Sequence, residues 1–271
     1  MSSILYVAVI TLCINSQNMF SQDFKTYDQS IPGTDVVFKM AAIPAGSFTI
    51  GSEMTERGRD EDEGPQKEIK VSAFWMGTRE VSFAEWDLYF KDATLPQAKN
   101  LDGVTRATPQ YIDLTWGMGR DGKHPTNSMS HAAAIMYCKW LYTKTGIFFR
   151  LPTEVEWEYA CRAGSTSSYP FGNDAQSLKE YGYFKENSND KFHHVGQLKP
   201  NAWGLYDMLG NLSEWTIDQY DPAYYSKISE KDPKTNPVSK HPKVVRGGSY
   251  LDEAKELRCA NRMASEANWN K

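Results

Sequence analysis

Short apolar runs bounded by turn residues open the folded part of this chain. Val36, Val37, Phe38 and Met40 form one, and Phe48 and Ile50 stand in a second at residues 45–51. Residues 69–75 alternate toward a third, so three β-strands are predicted. Helical periods follow. Ser82 with Glu85 makes a capping box, after which Phe83, Trp86 and Phe90 fall on one face. Ser130 can cap residues 132–145, where Ile135, Met136, Trp140 and Leu141 form an apolar stripe that Gly146 closes. Thr153 with Glu156 caps a third helix that runs to Gly164, and its acidic first turn complements the helix dipole. From Ser165 onward the helical period is lost. Glycine, asparagine and aromatic residues alternate in short runs without an internal repeat, which predicts irregular backbone. Such backbone must find partners for many main-chain groups, and bound cations or disulfides commonly help to fix it.

The N-terminus has a different pattern. Residues 4–14 are an apolar run too short to span a bilayer, and the first basic residue is Lys25. Residues 1–21 therefore read as a signal peptide, which sends the protein to the periplasm or cell envelope with no transmembrane domain. Leu12 occupies the place where a lipid-attachment box needs a small residue, so Cys13 is not expected to carry lipid. Residues 22–35 are polar, include Pro32 and Gly33, and read as a linker to a domain at 36–271. A chain of 271 residues with 40% hydrophobic and 13% aromatic positions can bury one sizeable core, and the predicted class is α+β. The net charge of −4 gives no footprint for nucleic acid. The acidic stretch at residues 59–65 reads as a solvated loop rather than a cation site.

Familiar catalytic spacings are missing: there is no HExxH, CxxC, P-loop or GxSxG. His193 and His194 are adjacent, so in an extended segment they point to opposite faces, and His124 and His131 lie seven apart with Pro125 between them. Neither pair builds a ligand face by local spacing.

Three stretches resemble the formylglycine-generating enzyme (sulfatase-modifying factor) family: the helix containing Trp157, Glu158, Tyr159, Ala160 and Cys161; the segment from Gly210 and Asn211 to Glu214 and Trp215; and Arg246, Gly247, Gly248, Ser249, Tyr250. The resemblance implies a loop-rich fold of the C-type-lectin-like class with few helices and short antiparallel strands. It also implies a structural calcium held by Asn211, Leu212 and Glu214, a hard-donor set that suits that ion. A disulfide between Cys161 and Cys259 is implied in the same way, as is a final strand that this sequence is expected to lack, leaving Cys138 without its family partner. Active oxidases of the family carry two copper-binding cysteines after the RGGS segment. The matching positions here are Asp252 and Leu257, and copper(I) needs soft thiolates, so copper is not expected and no catalytic residue is assigned. The reading that follows is an exported binding or assembly protein that holds a protein or peptide partner in a cleft around Trp215, Arg246, Ser249 and Tyr250. The alternative is a formylglycine-generating oxidase acting on sulfatase cysteines.

Overall fold

The computed structural model describes residues 24–95, 105 and 115–265. The signal-peptide reading and the run into the C-terminus lie outside them. Among the described residues no helix is long and apolar enough to cross a membrane.

Among the described residues, three small antiparallel sheets and four α-helices are joined by long irregular segments. Strands β1 (Tyr27–Ser30), β2 (Val37–Ile43) and β5 (Phe74–Gly77) form one sheet in the order β1-β2-β5, with Tyr27 opposite Met40 and Met40 opposite Gly77. β3 (Gly46–Ile50) pairs with β4 (Lys67–Val71), and β6 (Glu214–Gln219), β7 (Lys243–Arg246) and β8 (Met263–Ala264) make the third sheet. Two sequence expectations are corrected. The stretch read as a linker contains β1, because the neighbouring Ile31 is buried at 1% exposure and anchors it to the domain. The single strand expected at 69–75 is divided, β4 joining β3 while β5 crosses to β2, with Ser72 between them tied to Asp232 through both its amide and its hydroxyl.

All three helix starts obey their caps. Ser82 and Glu85 form the capping box of α1 (Phe83–Phe90), Ser130 accepts the Ala133 amide at the start of α2 (His131–Thr145), and Thr153 and Glu156 box α3 (Glu154–Arg162). Gly146 closes α2 in the left-handed region, whereas α3 ends one residue earlier than expected on Ala163 (φ 45°), with Gly164 following at φ 89°. A short α4 (Tyr224–Lys227) lies farther along. α1 and α2 share an aromatic cluster of Trp86, Tyr89, Tyr137 and Trp140, while α3 runs through the larger core with Ile43, Ile50, Ile69, Trp157 and Leu257.

The irregular half is fixed mainly by buried ion pairs. Glu158 on α3 accepts the Gly51 amide and Arg162 through Oε1, and Arg246 Nη2 through Oε2. Glu154, one turn earlier, takes Arg262 at 2.6 Å. Burial opposes its ionisation, but the charges of Arg262 and Arg246 outweigh that effect and hold its carboxyl below the usual range. The acidic stretch read as a solvated loop is also corrected: Glu63 is fully buried and its carboxylate is met by Arg258, 2.6 Å away. The cation this loop binds is an arginine of the same chain.

Candidate functional site

A cleft of about 1110 Å³ opens between the β1-β2-β5 sheet and helices α1 and α2. Its apolar wall includes Phe38, Met40, Trp75 and Phe149, and its mouth carries the exposed Phe148 and Val37. Trp215, at the start of β6, forms part of the lining; its indole donates to the Met129 carbonyl, and its ring meets His131 edge to face.

The other three residues expected around the cleft stand elsewhere. Arg246 is fully buried: besides Glu158 it donates to the carbonyls of Cys259, Ala260 and Asn261, and it lies over the Trp157 ring. Its guanidinium is a bracket between α3 and the C-terminal segment. Ser249 is 2% exposed, and its amide and hydroxyl both donate to Asp252 Oδ2 at 2.8 and 2.7 Å. Tyr250 donates its amide to the Asn211 carbonyl and packs edge to face on Phe192. Sequence proximity to Trp215 and the RGGS segment grouped these residues, but the left-handed turns at Gly247 (φ 92°) and Gly248 (φ 70°) send the chain inward after β7.

Those turns also place the two positions where active oxidases carry cysteine. Asp252 caps the Ser249 turn and has its own carbonyl bound by the Lys185 amide. Leu257 ends a 3₁₀ turn (Ala254–Leu257) and is fully buried. A Cβ at Gly248 would come 2.9 Å from Leu257 Cδ1, and one at Gly210 would come 3.0 Å from Cδ2, so the leucine plugs the space between two glycine-bearing loops. A turn-capping carboxylate and a core hydrocarbon occupy these positions, and neither offers a soft ligand.

Beside the cleft, three carboxylates lie near enough for like-charge repulsion, though their oxygens do not gather into one compact cluster. Glu80 and Glu214 line it, and Asp207 is buried behind them. Glu80 accepts Asn211 Nδ2 at 2.6 Å and the Leu212 amide at 2.8 Å, and Glu214 accepts the Trp157 indole at 2.7 Å. Desolvation pushes Glu80 well up, with Asp207 and Glu214 adding like-charge repulsion. It pushes Glu214 to about 7 and Asp207 to about 6, the latter despite the Gly196 amide and the Arg79 charge. Asp207 Oδ1 is buried without a hydrogen-bond partner. An excess of negative charge with an orphaned oxygen suits a hard cation.

The predicted calcium residues fit that cation unequally. Glu214 belongs to the carboxylate group. Asn211 sits in the left-handed region (φ 57°), where its Oδ1 accepts the His193 amide at 2.8 Å and its Nδ2 is bound to Glu80. Its side chain is therefore a clasp between segments. Leu212 is held in register by its amide bond to Glu80. Glu80 and Asp207 were not found by sequence reasoning: Glu80 lies 131 residues from Asn211, and Asp207, in the same run as Asn211, has no motif of its own to announce it.

The cysteines divide into two environments. Cys161 on α3 and Cys259 after the 3₁₀ turn are buried thiols in hydrogen-bond contact, and burial followed by the Cys259 neighbour raises Cys161 well above the usual thiol range. Cys138 lies on α2, where burial pushes it up to about 12 and leaves it a poor nucleophile at neutral pH.

Fold and cleft together define a loop-rich α+β protein whose short sheets and capped helices carry a large cavity between them. The chain belongs to the family described as Sulfatase-modifying factor enzyme 1-like domain, whose profile matches residues 28–271. It is 29% identical to the formylglycine-generating enzyme of Mus musculus over 83% of this chain and 70% of that one. To the inactive C-alpha-formylglycine-generating enzyme 2 of Bos taurus it is 28% identical, over 82% of this chain and 79% of the relative. Among solved structures, PvdO from Pseudomonas aeruginosa superposes with a TM-score of 0.71 at 27% identity, covering 84% of this chain and 88% of that one.

Proposed function

We propose that this protein acts by binding, as an exported component of the cell envelope that holds a peptide or protein segment in the cleft beside Trp215 and performs no copper oxidase chemistry. The observation that carries this reading is the pair Asp252 and Leu257. Relatives named as active and as inactive match with nearly equal identity, so whole-chain similarity does not separate the two roles, whereas these two side chains bear on the chemistry directly. A groove with apolar walls and a few polar groups depends on shape and needs no thiolate. The apolar run at residues 4–14 supports export.

The folded protein, shown to melt cooperatively and loaded with copper, is expected to leave a sulfatase-type cysteine peptide unchanged by mass. An active enzyme of the family run alongside guards against a failed assay. Copper-dependent formylglycine formation by the unmodified protein would establish the oxidase alternative and sink this reading.

A structural calcium beside Glu214 is the second part of the proposal. When bound it supplies charge neutralisation, and Glu214 with the Leu212 segment would hold it, leaving Asn211 as the clasp described above. Chelation is expected to lower the melting temperature and added calcium to restore it, because a ligand of the native state alone stabilises by mass action. Glu214→Ala is expected to remove that calcium-dependent shift. A variant that keeps the full shift would place the ion elsewhere.

A further inference from the structure

His124 and His194, seventy residues apart in sequence, meet at the mouth of the cleft. Their ring centroids are 4.2 Å apart, and both rings face Asp121, whose Oδ1 lies 3.1 Å from His124 Nδ1 and whose Oδ2 lies 3.0 Å from His194 Nε2. Among the described residues this is the one set of three metal-binding side chains whose ligand atoms all lie within 4.8 Å of one another. His193, next in the chain, takes no part: its ring stacks on Tyr183 and its Nε2 is bound to the Ser188 carbonyl.

The cluster is built rather than incidental. The Val195 amide donates to the Lys123 carbonyl at 3.0 Å, locking the two strands of chain that bring the histidines together, and the His124 carbonyl is held by the Phe83 amide at the start of α1. His124 is packed edge to face on Phe192 and backed by Gly119, where a Cβ would come 2.4 Å from the imidazole Cε1. Its Nδ1 is buried, and although Asp121 is near in distance, the angle makes no hydrogen bond. A buried imidazole nitrogen that lies close to a carboxylate yet has no hydrogen-bond partner is a group left open to a third atom. Asp121 has no cationic competitor in Arg120, which reaches to Asp87 and lies over the Phe83 ring.

We propose that Asp121, His124 and His194 form a binding site for a late divalent transition metal, zinc in the first instance, at the rim of the cleft. Two borderline imidazoles joined by one carboxylate make a mixed set that suits zinc and its neighbours rather than calcium, which takes oxygen ligands. Four ligands around zinc at its usual bond lengths stand about 3.3 Å from one another, so the two Asp121 contacts are nearly at that spacing already. Three protein ligands leave a fourth position. Because His194, Gly122 and Lys123 line the cleft, that position faces a molecule bound there, and the metal would take an oxygen or nitrogen group of the occupant or a water.

Cobalt(II), a spectroscopically visible stand-in for zinc, tests the site when titrated in excess calcium, which keeps hard-cation positions occupied. The full chain is expected to bind one equivalent, with visible d–d absorption that one equivalent of zinc abolishes. Asp121→Asn and His194→Ala, both at partly exposed side chains, are expected to weaken binding at least about 100-fold without lowering the melting temperature of the metal-free protein. His241→Ala, remote from the cluster, should bind as the parent does. Absence of a bound equivalent in the parent overturns the proposal, and so does parent-like affinity in the Asp121→Asn/His194→Ala double variant.

Discussion

Glu158→Ala is expected to destabilise the protein by about 3–5 kcal/mol, a large share of the margin of an ordinary domain. The carboxylate has no exposure, and its two oxygens together satisfy Arg162, Arg246 and the Gly51 amide. Removing it leaves two guanidinium groups inside the core with part of their charge uncompensated. It also opens a joint at which α3, the residue after β3 and the end of β7 meet through one side chain. Glu158→Gln keeps the shape and still loses the charge, so it should recover only a minority of the deficit. Asp28→Ala, which breaks the exposed pair with Lys39, is the comparison, with an expected cost of about 0–1 kcal/mol. Denaturant midpoints at unchanged slope measure all three. If Glu158→Ala costs no more than Asp28→Ala, the network does not hold the fold in the manner described.

Oxidation of Cys161 and Cys259 to a disulfide, which we propose for the exported protein, is expected to add about 4–5 kcal/mol. The estimate follows from closing a loop of about 100 residues, and strain in the native state would reduce it. The two buried thiols are neighbours in the core, one on α3 and the other in the irregular half, which places the bridge where it would tie those two parts together. Peptide mapping without reductant should recover the linked pair, and the denaturation midpoint should fall when reductant is added. Recovery of both cysteines as alkylated thiols from protein unfolded without reductant would end the proposal. The same joint would then rest on the ion pairs of Arg246 with Glu158 and Arg262 with Glu154.

What the sequence discloses here divides along contact distance. Ser82, Ser130 and Thr153 announce their helices because a cap and its partner are three residues apart, and all three form where expected. Ile69 to Trp75 misled because alternation reports burial on one face and not which neighbour a strand joins, so a break at Ser72 leaves no apolar signal. Arg246 and Glu158 are 88 residues apart, Arg262 and Glu154 are 108, and Arg258 and Glu63 are 195. No local spacing links the members of these pairs, and only the closed fold brings them together in the core. The same limit hid the histidine cluster, whose members were weighed against their sequence neighbours when the relevant partner lay across the cleft. Trp215 lines the cleft while Arg246 is buried in the core, because proximity in a sequence pattern says little about which way a side chain faces.

Leu257 bears on how readily this scaffold could exchange one role for the other. Its side chain fills the contact between the Gly210 and Gly248 loops, so a cysteine there would remove packed hydrocarbon as well as introduce a thiol, at a cost of about 1–3 kcal/mol for the atoms lost. A cysteine at 252 would release the Ser249 turn from its cap at the same time. The intermediate carrying either change alone has the expense of both worlds and the chemistry of neither: a loosened loop and a single thiol that cannot hold copper by itself. Passage from Asp252 and Leu257 to a cysteine pair is thus a valley rather than a slope, and a designed conversion should begin by reshaping the two loops, installing the thiols last.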